Sequence, residues 1–323
     1  MIGELPDIGE ASLVLPLAEG YAFNPYRNYR MLSRRARAAV LAAEVEAALR
    51  DEDGMVCVHA AGGERAAAVA RRLPWDSSFF GVPMARIDYL LGADPAARLA
   101  ALRACLVRQR AEGARHVSAR VDVADVEAAA MLEDCGFRLK DALVTYAARP
   151  GQDVSDRVRT FGSVRPLRDD DGPELVAIAR AAFRSFRGRF HADASLPRDR
   201  VDAFYEEWAR QCLSLQMAQT VLVSEASDGS LLGFLAFRRR EPVSTVSGVP
   251  VFGGGLGACR PDAAGAYAGL IRAGTLWAHQ RGGVAECQTQ NHNFPTIRIY
   301  EAVGARYVRA EYTFHLSLDA DPA

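Results

Sequence analysis

The chain has 323 residues, of which 50% are hydrophobic and 24% charged, and its formal net charge is −1. This length fits two domains of about 150 residues, and the composition is that of an ordinary globular protein. A net charge near zero creates no field that would favour nucleic acid or an anionic membrane surface. No apolar run approaches the roughly 20 residues that cross a bilayer.

The cysteines and the N-terminus indicate the cellular compartment. Six cysteines are scattered along the chain without the paired spacing of metal ligands, and several lie in apolar runs. Buried free thiols of this kind are typical of a reducing environment and argue against a structural zinc site. The N-terminus lacks a basic and then apolar signal pattern. The sequence therefore predicts a cytoplasmic protein without metal.

After an irregular start, the first half of the chain alternates between strand and helix patterns. Residues 1 to about 30 are punctuated by Pro and Gly and predict an irregular arm. The next elements expected are a helix at 31–50, strands at 55–60 and 66–73, a fixed loop at 73–83, a strand at 84–91, a helix at 95–110, a strand at 116–121, a helix at 123–135 and a strand at 137–147. The strand at 66–73 is rich in Ala and equally compatible with a helix.

The second half begins after a break at 149–153, so domains at 1–150 and 160–323 are expected. The elements predicted there are a strand at 164–167, a helix at 174–183, a polar loop at 184–197, a helix at 198–212, a hairpin at 219–225 and 231–240, a Gly-rich strand at 249–259, a helix at 263–281 and a final strand–helix–strand. Asn293 is expected to cap the last helix, and Gly304 to end it.

An internal repeat relates the two halves at an offset of 168 positions. The stretch 132–138 falls on 300–306, and Asp125 falls on Asn293. The first half therefore reads as a second copy of one βαβ-rich unit. Leu132 stands where the other copy has Tyr300, and leucine cannot donate a proton. We therefore expect a degenerate N-terminal copy and a working C-terminal copy.

Two stretches resemble one enzyme family. The pattern Asn293-x-x-Thr296-x-x-x-Tyr300-Glu301-x-x-Gly304-Ala305 resembles N-x-x-A-x-x-x-Y-E-x-x-G-F, the last conserved segment of the GNAT (GCN5-related) N-acetyltransferases. The run Trp75-Asp76-Ser77-Ser78-Phe79-Phe80-Gly81 resembles the W-D-S-x-F-F-G signature of the dTDP-fucosamine (dTDP-4-amino-4,6-dideoxygalactose) acetyltransferase branch. The resemblance implies an α/β fold with tandem GNAT-like domains, each a mixed, mostly antiparallel sheet flanked by helices.

The resemblance also implies a donor site for acetyl-CoA in the second domain. By likeness to the family, Tyr300 is the general acid that protonates the leaving thiolate of coenzyme A, and Asn293 faces the donor. A buried core tyrosine and a simple helix cap are the competing interpretations. Backbone around Gly255, Leu256 and Gly257 is expected to pair with the pantetheine arm, although close packing of the strand would also explain these glycines.

The expected pyrophosphate loop departs from the family pattern Q/R-x-x-G-x-G/A. Ala264 stands at its basic or amide position, and Tyr267 stands at its first glycine. Gly269 remains in register, and together with Gly265 it leaves an open turn before the helix. Free N–H groups at such a helix start bind phosphate in many proteins. Tyr267 is expected to obstruct this path.

No general base is evident in the Gly-rich strand. His191, Asp193 and Glu225 are the candidates, and a chain of water molecules is an equal alternative. His191 is also typical of a hydrogen-bonding loop residue. The basic residues of the loop at 184–193 are expected either to meet the phosphates of a nucleotide-sugar or to form a solvated surface.

The function predicted is acyl transfer, in first place acetyl transfer, from coenzyme A to the amine of a small molecule. A nucleotide-linked amino-sugar is the first candidate for the acceptor, and the protein is expected to act as a monomer or homodimer. One alternative is a non-catalytic GNAT-like scaffold that binds a metabolite or partner. Another is a transferase that uses a longer acyl group or an acyl-carrier protein.

Overall fold

The structure is a computed structural model that describes residues 8–154, 158, 160–184, 186–263 and 265–318, with side chains from residue 12 onward. The chain forms two compact units. Unit 1 comprises Met1–Ala142 and Ala310–Ala323, and unit 2 comprises Leu143–Arg309. These units follow spatial proximity, whereas the predicted domains at 1–150 and 160–323 follow chain order. The predicted domains stay a prediction.

Unit 1 is a sheet with helices on both faces. Its strands are β1 (Gly54–Ala61), β2 (Glu64–Arg72), β3 (Met84–Gly92) and β4 (His116–Asp122), and its helices are α1 (Ile8–Glu19), α2 (Arg34–Arg50), α3 (Pro74–Phe80), α4 (Pro95–Ala111) and α5 (Val126–Asp134). β1, β2 and β3 pair antiparallel in chain order, and β3 pairs parallel with β4. The end of the last strand of the chain, from Glu311 to Ser317, pairs antiparallel with β4.

The Ala-rich stretch of β2 is a strand because both of its faces are covered. Ala66, Ala68 and Ala70 pack into a core with residues of α4 and α5. Ala67 and Val69 pack into a second core with residues of α1 and α2. Side chains that alternate between two apolar layers require the two-residue period of a strand. Small side chains let helices approach both faces closely.

Two elements in the first half differ from the prediction. The predicted irregular arm contains the helix α1. Its Val14 and Ala18 are fully buried in a core formed with residues of α2 and β2. This burial stabilises the helix although Pro16 lies inside it. The predicted loop at 73–83 contains the helix α3. Pro74 starts this helix, and Gly81 ends it in the left-handed conformation with φ of 68°.

Unit 2 has its own strands and helices. Its strands are the end of β5 (Arg138–Ala148), β6 (Ser163–Pro166), β7 (Thr220–Glu225), β8 (Leu231–Arg239), β9 (Val251–Cys259), β10 (Val284–Gln290) and the start of β11 (Arg306–Ser317). Its helices are α6 (Gly172–Phe183), α7 (Arg198–Leu213), α8 (Val243–Ser247), α9 (Ala266–Gln280) and α10 (Phe294–Ala302). α8 was not predicted.

The strands of unit 2 pair mostly antiparallel. β6, β7, β8 and β9 pair antiparallel in chain order, β9 pairs parallel with β10, and β10 pairs antiparallel with the end of β5. One parallel pair in an otherwise antiparallel set also occurs in unit 1. The predicted α/β fold class, with mixed and mostly antiparallel strands flanked by helices in each half, is therefore confirmed.

The internal repeat is confirmed element by element. β4 and β10 begin and end 168 positions apart, and so do α5 and α10. The residues that precede these two helices are Asp125 and Asn293, the pair aligned by the sequence. Each half of the chain thus contains an antiparallel hairpin that is followed by a strand, a helix, a parallel strand and a second helix.

Among the described residues, no helix combines the length and apolar character that a bilayer crossing needs.

Candidate active site

The sheet of unit 2 opens between its two parallel strands. β9 and β10 form three residue pairs, and the last of them joins Gly253 to Glu286. Beyond it, β9 continues to pair with β8 on its other side, and β10 continues to pair with β5 on its other side. We call the opening between residues 254–259 and 287–290 the split. Backbone N–H and C=O groups along such an edge can hydrogen-bond to an extended ligand.

A β-bulge lies on the β9 side of the split. Leu235 of β8 pairs with Gly257 and Phe237 pairs with Gly254, so Gly255 and Leu256 together stand opposite one β8 residue. A bulge redirects the backbone groups of its strand. The structure thus places the predicted Gly255, Leu256 and Gly257 together on the edge of the split. Their assignment to a donor stays a prediction.

Tyr300 lies on the β10 side of the split. Its side chain is 2% exposed, and its hydroxyl donates a hydrogen bond to the carbonyl oxygen of Gln288 at 3.2 Å. Gln288 is two residues beyond the last β10 residue that pairs with β9. The phenol is therefore buried beside the opened part of β10.

The pKa of Tyr300 is raised well above its ordinary value. Burial is the largest cause, and the neighbouring Tyr267 and Cys287 add to it. Burial disfavours the charged phenolate, so the hydroxyl keeps its proton at neutral pH. Tyr300 can therefore give a proton to a strong base that forms beside it, and it cannot act as a base itself.

Asn293 begins α10 as predicted, but its side chain does not cap the helix. Its Nδ2 atom donates to Oγ1 of Thr289 at 2.9 Å, near the end of β10. Pro295 lies in the first turn of the helix, where a missing N–H costs nothing. The amide thus fixes the turn between β10 and α10, which also holds Tyr300 against β10.

Tyr267 stands between the split and α9. It is the second residue of α9, and a Cβ built on Gly257 would lie 3.1 Å from its ring and 3.2 Å from its hydroxyl. The two phenols are also close enough for each to affect the pKa of the other. Burial, the largest cause, raises the pKa of Tyr267, so this phenol also stays protonated. The ring therefore fills space between the bulge and Tyr300.

The start of α9 is covered by the segment that precedes β6. A Cβ built on Gly265 would lie 2.4 Å from the ring of Phe161, and one built on Gly269 would lie 3.4 Å from Thr160. The turn that the sequence predicts to be open is therefore packed against Phe161. Ala264, the altered position of the predicted phosphate loop, lies outside the described residues.

His191 lies in an aromatic cluster beside α7. Its ring stacks on Tyr205 with centroids 5.8 Å apart, and Phe186 meets its edge. Its Nε2 atom is 3.7 Å from Asp202, beyond a normal hydrogen bond. Burial first, and Arg198 second, lower the pKa of His191, so the imidazole is neutral at pH 7. No contact described for this ring reaches Tyr300.

The two carboxylates predicted as alternative bases have structural partners. Oδ1 of Asp193 accepts hydrogen bonds from the backbone and the hydroxyl of Ser195, so it shapes a turn. Glu225 accepts two hydrogen bonds from Arg165, which also holds Asp171. Arg165 is the main cause that lowers the pKa of Glu225. An ion-paired carboxylate of this kind is a weak base.

The structure shows a charged residue at the split that the sequence interpretation missed. Glu286 is 4% exposed, belongs to the last pair before the strands part, and forms an ion pair with Arg240. A Cβ built on Gly253 would lie 2.9 Å from the Arg240 side chain, so a glycine at this position leaves room for the arginine. A lone charge within an otherwise buried strand was the signal available in the sequence.

In unit 1, the position equivalent to Tyr300 holds no phenol. The β3–β4 pairing ends at Ile87 and Ala119, and a register shift follows in the β2–β3 ladder, as in unit 2. Leu132 is fully buried at the position of Tyr300. Arg98 of α4 forms a buried ion pair with the helix-capping Asp125. These side chains give unit 1 the same architecture without a proton donor at the position of Tyr300.

Comparison with known proteins identifies the architecture. A tandem GNAT protein from the clavulanic acid biosynthesis pathway superposes with a TM-score of 0.55 and 14% identity, over 99% of this chain and 98% of that one. The chain has a tandem GNAT fold. A GCN5-related glucosamine N-acetyltransferase region of a fungal multi-domain β-N-acetylglucosaminidase superposes with a TM-score of 0.60 and 13% identity, over 94% of this chain and 37% of that one.

Sequence comparison adds one relative from Bacillus subtilis (strain 168). The spore coat polysaccharide biosynthesis protein SpsD is 25% identical over 161 residues. That match spans 50% of this chain and 53% of SpsD, so about half of each protein is compared. No protein-family model matches the chain. At these identities the comparisons show the GNAT fold.

Proposed function

We propose that unit 2 is an N-acyltransferase that moves an acyl group from a thioester of coenzyme A to the amine of a small molecule. One observation carries the proposal. The parallel pairing of β9 and β10 ends after three residue pairs, and a bulge and a protonated phenol flank the opening. An extended donor can pair with the free β9 edge and bring its sulfur toward Tyr300.

The residues of the split fit the pantetheine arm better than the diphosphate. The bulge lies at Gly255 and Leu256. Gly255 has no side chain that would keep a ligand away from the backbone groups there. Phe161 covers Gly265 at the start of α9, and Tyr267 fills the space beside Gly257. Binding of the whole cofactor therefore requires these two rings to move. We assign no residue to the phosphates.

The protein's own groups would mainly transfer protons and hold the reactants in position. When bound, the thioester supplies an activated acyl carbon and a thiolate leaving group. Tyr300 gives its hydroxyl proton to the sulfur as the carbon–sulfur bond breaks and the carbon–nitrogen bond forms, and water then reprotonates the phenol. The amine loses its proton to water or to a neutral base. Backbone amides of β9 hold the reacting carbonyl in place.

We further propose an amino-sugar as the acceptor, in first place a nucleotide-linked one. The resemblance of the run from Trp75 to Gly81 to the dTDP-fucosamine acetyltransferase signature supports this choice. The names of two similar proteins agree with it, since SpsD is a polysaccharide biosynthesis protein and the fungal region is a glucosamine N-acetyltransferase. Sugar amines are small enough to reach a reaction centre at the split.

A second candidate function is a GNAT-like binding protein without transferase activity. It is favoured by Tyr267, whose ring fills the space between Gly257 and Tyr300. If that ring does not move, the donor cannot approach the phenol. A related alternative keeps catalysis and uses a longer acyl group or an acyl-carrier protein, for which phosphate recognition at α9 matters less.

A titration with several donors separates these functions. Acetyl-CoA, a long-chain acyl-CoA and an acyl-carrier thioester are each added to the full chain, and binding is measured by calorimetry. A transferase should bind at least one donor saturably and release free thiol when an amino-sugar is added. Absence of both binding and thiol release for all three donors would overturn the transferase proposal in favour of the binding protein.

A further inference from the structure

Two cysteines of unit 1 meet where α4 packs on β1. Met55 and Cys57 are two residues apart on β1, so both side chains lie on the same face of the strand. Both pack into the core that contains Cys105 of α4, and the Sγ atom of Cys105 lies 3.9 Å from the Sδ atom of Met55. Cys57 is also the largest cause that raises the pKa of Cys105. The two thiols are therefore close neighbours.

The two thiols differ in their access to solvent. Cys57 is partly exposed, whereas Cys105 is completely buried. A small reagent from solution therefore meets Cys57 first. The raised pKa of Cys105 keeps that thiol protonated at neutral pH, so it is held in reserve beside Cys57.

A positive charge lies beside Cys57. Arg108 follows Cys105 by about one turn of α4, and its Nη1 atom lies 3.5 Å from the carbonyl oxygen of Val56, the residue before Cys57. Glu112 is the main cause that raises the pKa of Arg108, and Cys57 adds to it. This attraction is mutual, so the guanidinium favours the thiolate form of Cys57, which is the form that reacts with oxidants.

The other cysteines lack this environment. Burial is the main cause that raises the pKa of each of them, Cys135, Cys212, Cys259 and Cys287. Cys259 is partly exposed like Cys57, yet burial raises its pKa to about 12. Thiols of this kind stay protonated at neutral pH and react slowly. Exposure alone therefore does not make a thiol of this chain reactive.

We propose that Cys57 and Cys105 form a site of reversible oxidation, at which a hydroperoxide oxidises Cys57 and Cys105 then closes a disulfide. A partly exposed cysteine that favours the thiolate and lies next to a second cysteine is typical of redox-sensitive sites. The site uses no residue of unit 2, so it does not depend on acyl transfer.

The reaction proceeds in two steps. The thiolate sulfur of Cys57 bonds to one peroxide oxygen, the O–O bond breaks, and the leaving alkoxide or hydroxide takes up the proton that Cys57 released. The sulfur of Cys105 then bonds to the sulfur of the Cys57 sulfenic acid, the S–O bond breaks, and hydroxide leaves as water with the Cys105 proton. Two thiols are oxidised and one hydroperoxide is reduced. A dithiol reductant restores both thiols by exchange.

The test treats the reduced full chain with hydrogen peroxide at neutral pH and maps the six cysteines by peptide mass spectrometry. The peptide of Cys57 should appear linked to the peptide of Cys105, and dithiothreitol should release both. In Cys105→Ala, the sulfenic acid has no partner, so dimedone should label Cys57. In Cys57→Ala, Cys105 should remain a thiol.

Two further variants test why Cys57 is selected. Arg108→Met removes the charge, keeps most of the side-chain stem, and should slow the oxidation of Cys57 about tenfold. Arg110→Met is the matched control on α4, because Arg110 donates a hydrogen bond to the carbonyl oxygen of Leu318. Its oxidation rate should equal that of the wild type. Cys259→Ala should leave the yield of the disulfide unchanged.

Three results would overturn the proposal. Oxidised wild type without a link between Cys57 and Cys105 would show that the two thiols do not react together, and this result requires no variant to fold. Oxidation of Cys259 in the wild type as fast as that of Cys57 would show that the surroundings of Cys57 select nothing. An unchanged rate in Arg108→Met would show that the guanidinium does not activate the thiol.

Discussion

The hydroxyl of Tyr300 donates a hydrogen bond to the carbonyl oxygen of Gln288 at 3.2 Å, in the part of β10 that no longer pairs with β9. This bond fixes the phenol against the edge of the split. Tyr267, at the start of α9, lies close enough to this phenol to help raise its pKa. The acid proposed for catalysis and the residue that obstructs the donor are thus direct neighbours, and the proposed function depends on their separation.

Replacement of Tyr267 should open the split. In Tyr267→Ala, the ring beside Gly257 is gone, so a donor no longer has to displace a partly buried aromatic side chain. The affinity for acetyl-CoA should rise on the order of tenfold, the equivalent of about 1.5 kcal/mol of side-chain burial. Calorimetric titration of the wild type and the variant measures the change.

The matched control is Tyr307→Ala, which removes a half-exposed tyrosine from β11. Its affinity for acetyl-CoA should equal that of the wild type. An unchanged or weaker affinity in Tyr267→Ala, with the variant folded, would show that this ring is not an obstacle to the donor.

His191 should make stability depend on pH. Its folded-state pKa is lowered below the ordinary value of about 6.5, so the unfolded chain binds a proton first as the pH falls. The stabilising contribution of the neutral ring is complete above pH 6.5 and is lost as the pH falls through the lowered pKa. The free energy of unfolding should therefore decrease below about pH 6.5.

Denaturant unfolding at several pH values tests this expectation. In His191→Gln, the decrease between pH 7.5 and 5.5 should be smaller than in the wild type, because no ring is left to protonate. The exposed His292 provides the control, since His292→Gln should keep the wild-type slope. Equal slopes in the wild type and His191→Gln would contradict the buried, neutral state of this imidazole.

The ion pair of unit 1 should be structural. Asp125 is 1% exposed and pairs with Arg98, which is 2% exposed. Asp125→Ala leaves a buried guanidinium without its main partner and should destabilise the protein by about 3–5 kcal/mol. Glu127→Ala removes an exposed carboxylate 3.9 Å from the same arginine and should cost less than about 1 kcal/mol.

Chemical denaturation measures both variants. A loss in Asp125→Ala no larger than that in Glu127→Ala would show that the buried pair does not hold unit 1 together. Acyl transfer per folded molecule should be unchanged in Glu127→Ala. A specific loss of transfer in that variant would contradict the assignment of catalysis to unit 2.

Much of the fold follows from local patterns in the sequence. The alignment of 132–138 with 300–306 predicts the repeat because each copy uses the same strand, helix and glycine stop. Asn293 and Gly304 mark the ends of α10 through backbone geometry that any such helix requires. These signals are contained within a few neighbouring residues.

The features that the sequence did not predict depend on contacts between distant residues. Phe161 covers Gly265 across more than 100 positions, so an open turn in the sequence is a packed turn in the structure. Glu286 and Arg240 form their ion pair across a glycine whose role is visible only in three dimensions. The helix α1 forms in spite of Pro16 because burial of Val14 and Ala18 outweighs its poor local pattern.

The rate of thiol release from an acyl donor in Tyr300→Phe, compared with the wild type at saturating donor and amino-sugar, tests the central claim most directly. Phenylalanine keeps the ring and removes the one proton that the account assigns to the leaving sulfur. The rate constant for turnover should fall by about 10²–10⁴, with little change in donor affinity, and Tyr307→Phe should retain the wild-type rate. A Tyr300→Phe enzyme that turns over as fast as the wild type would contradict the account.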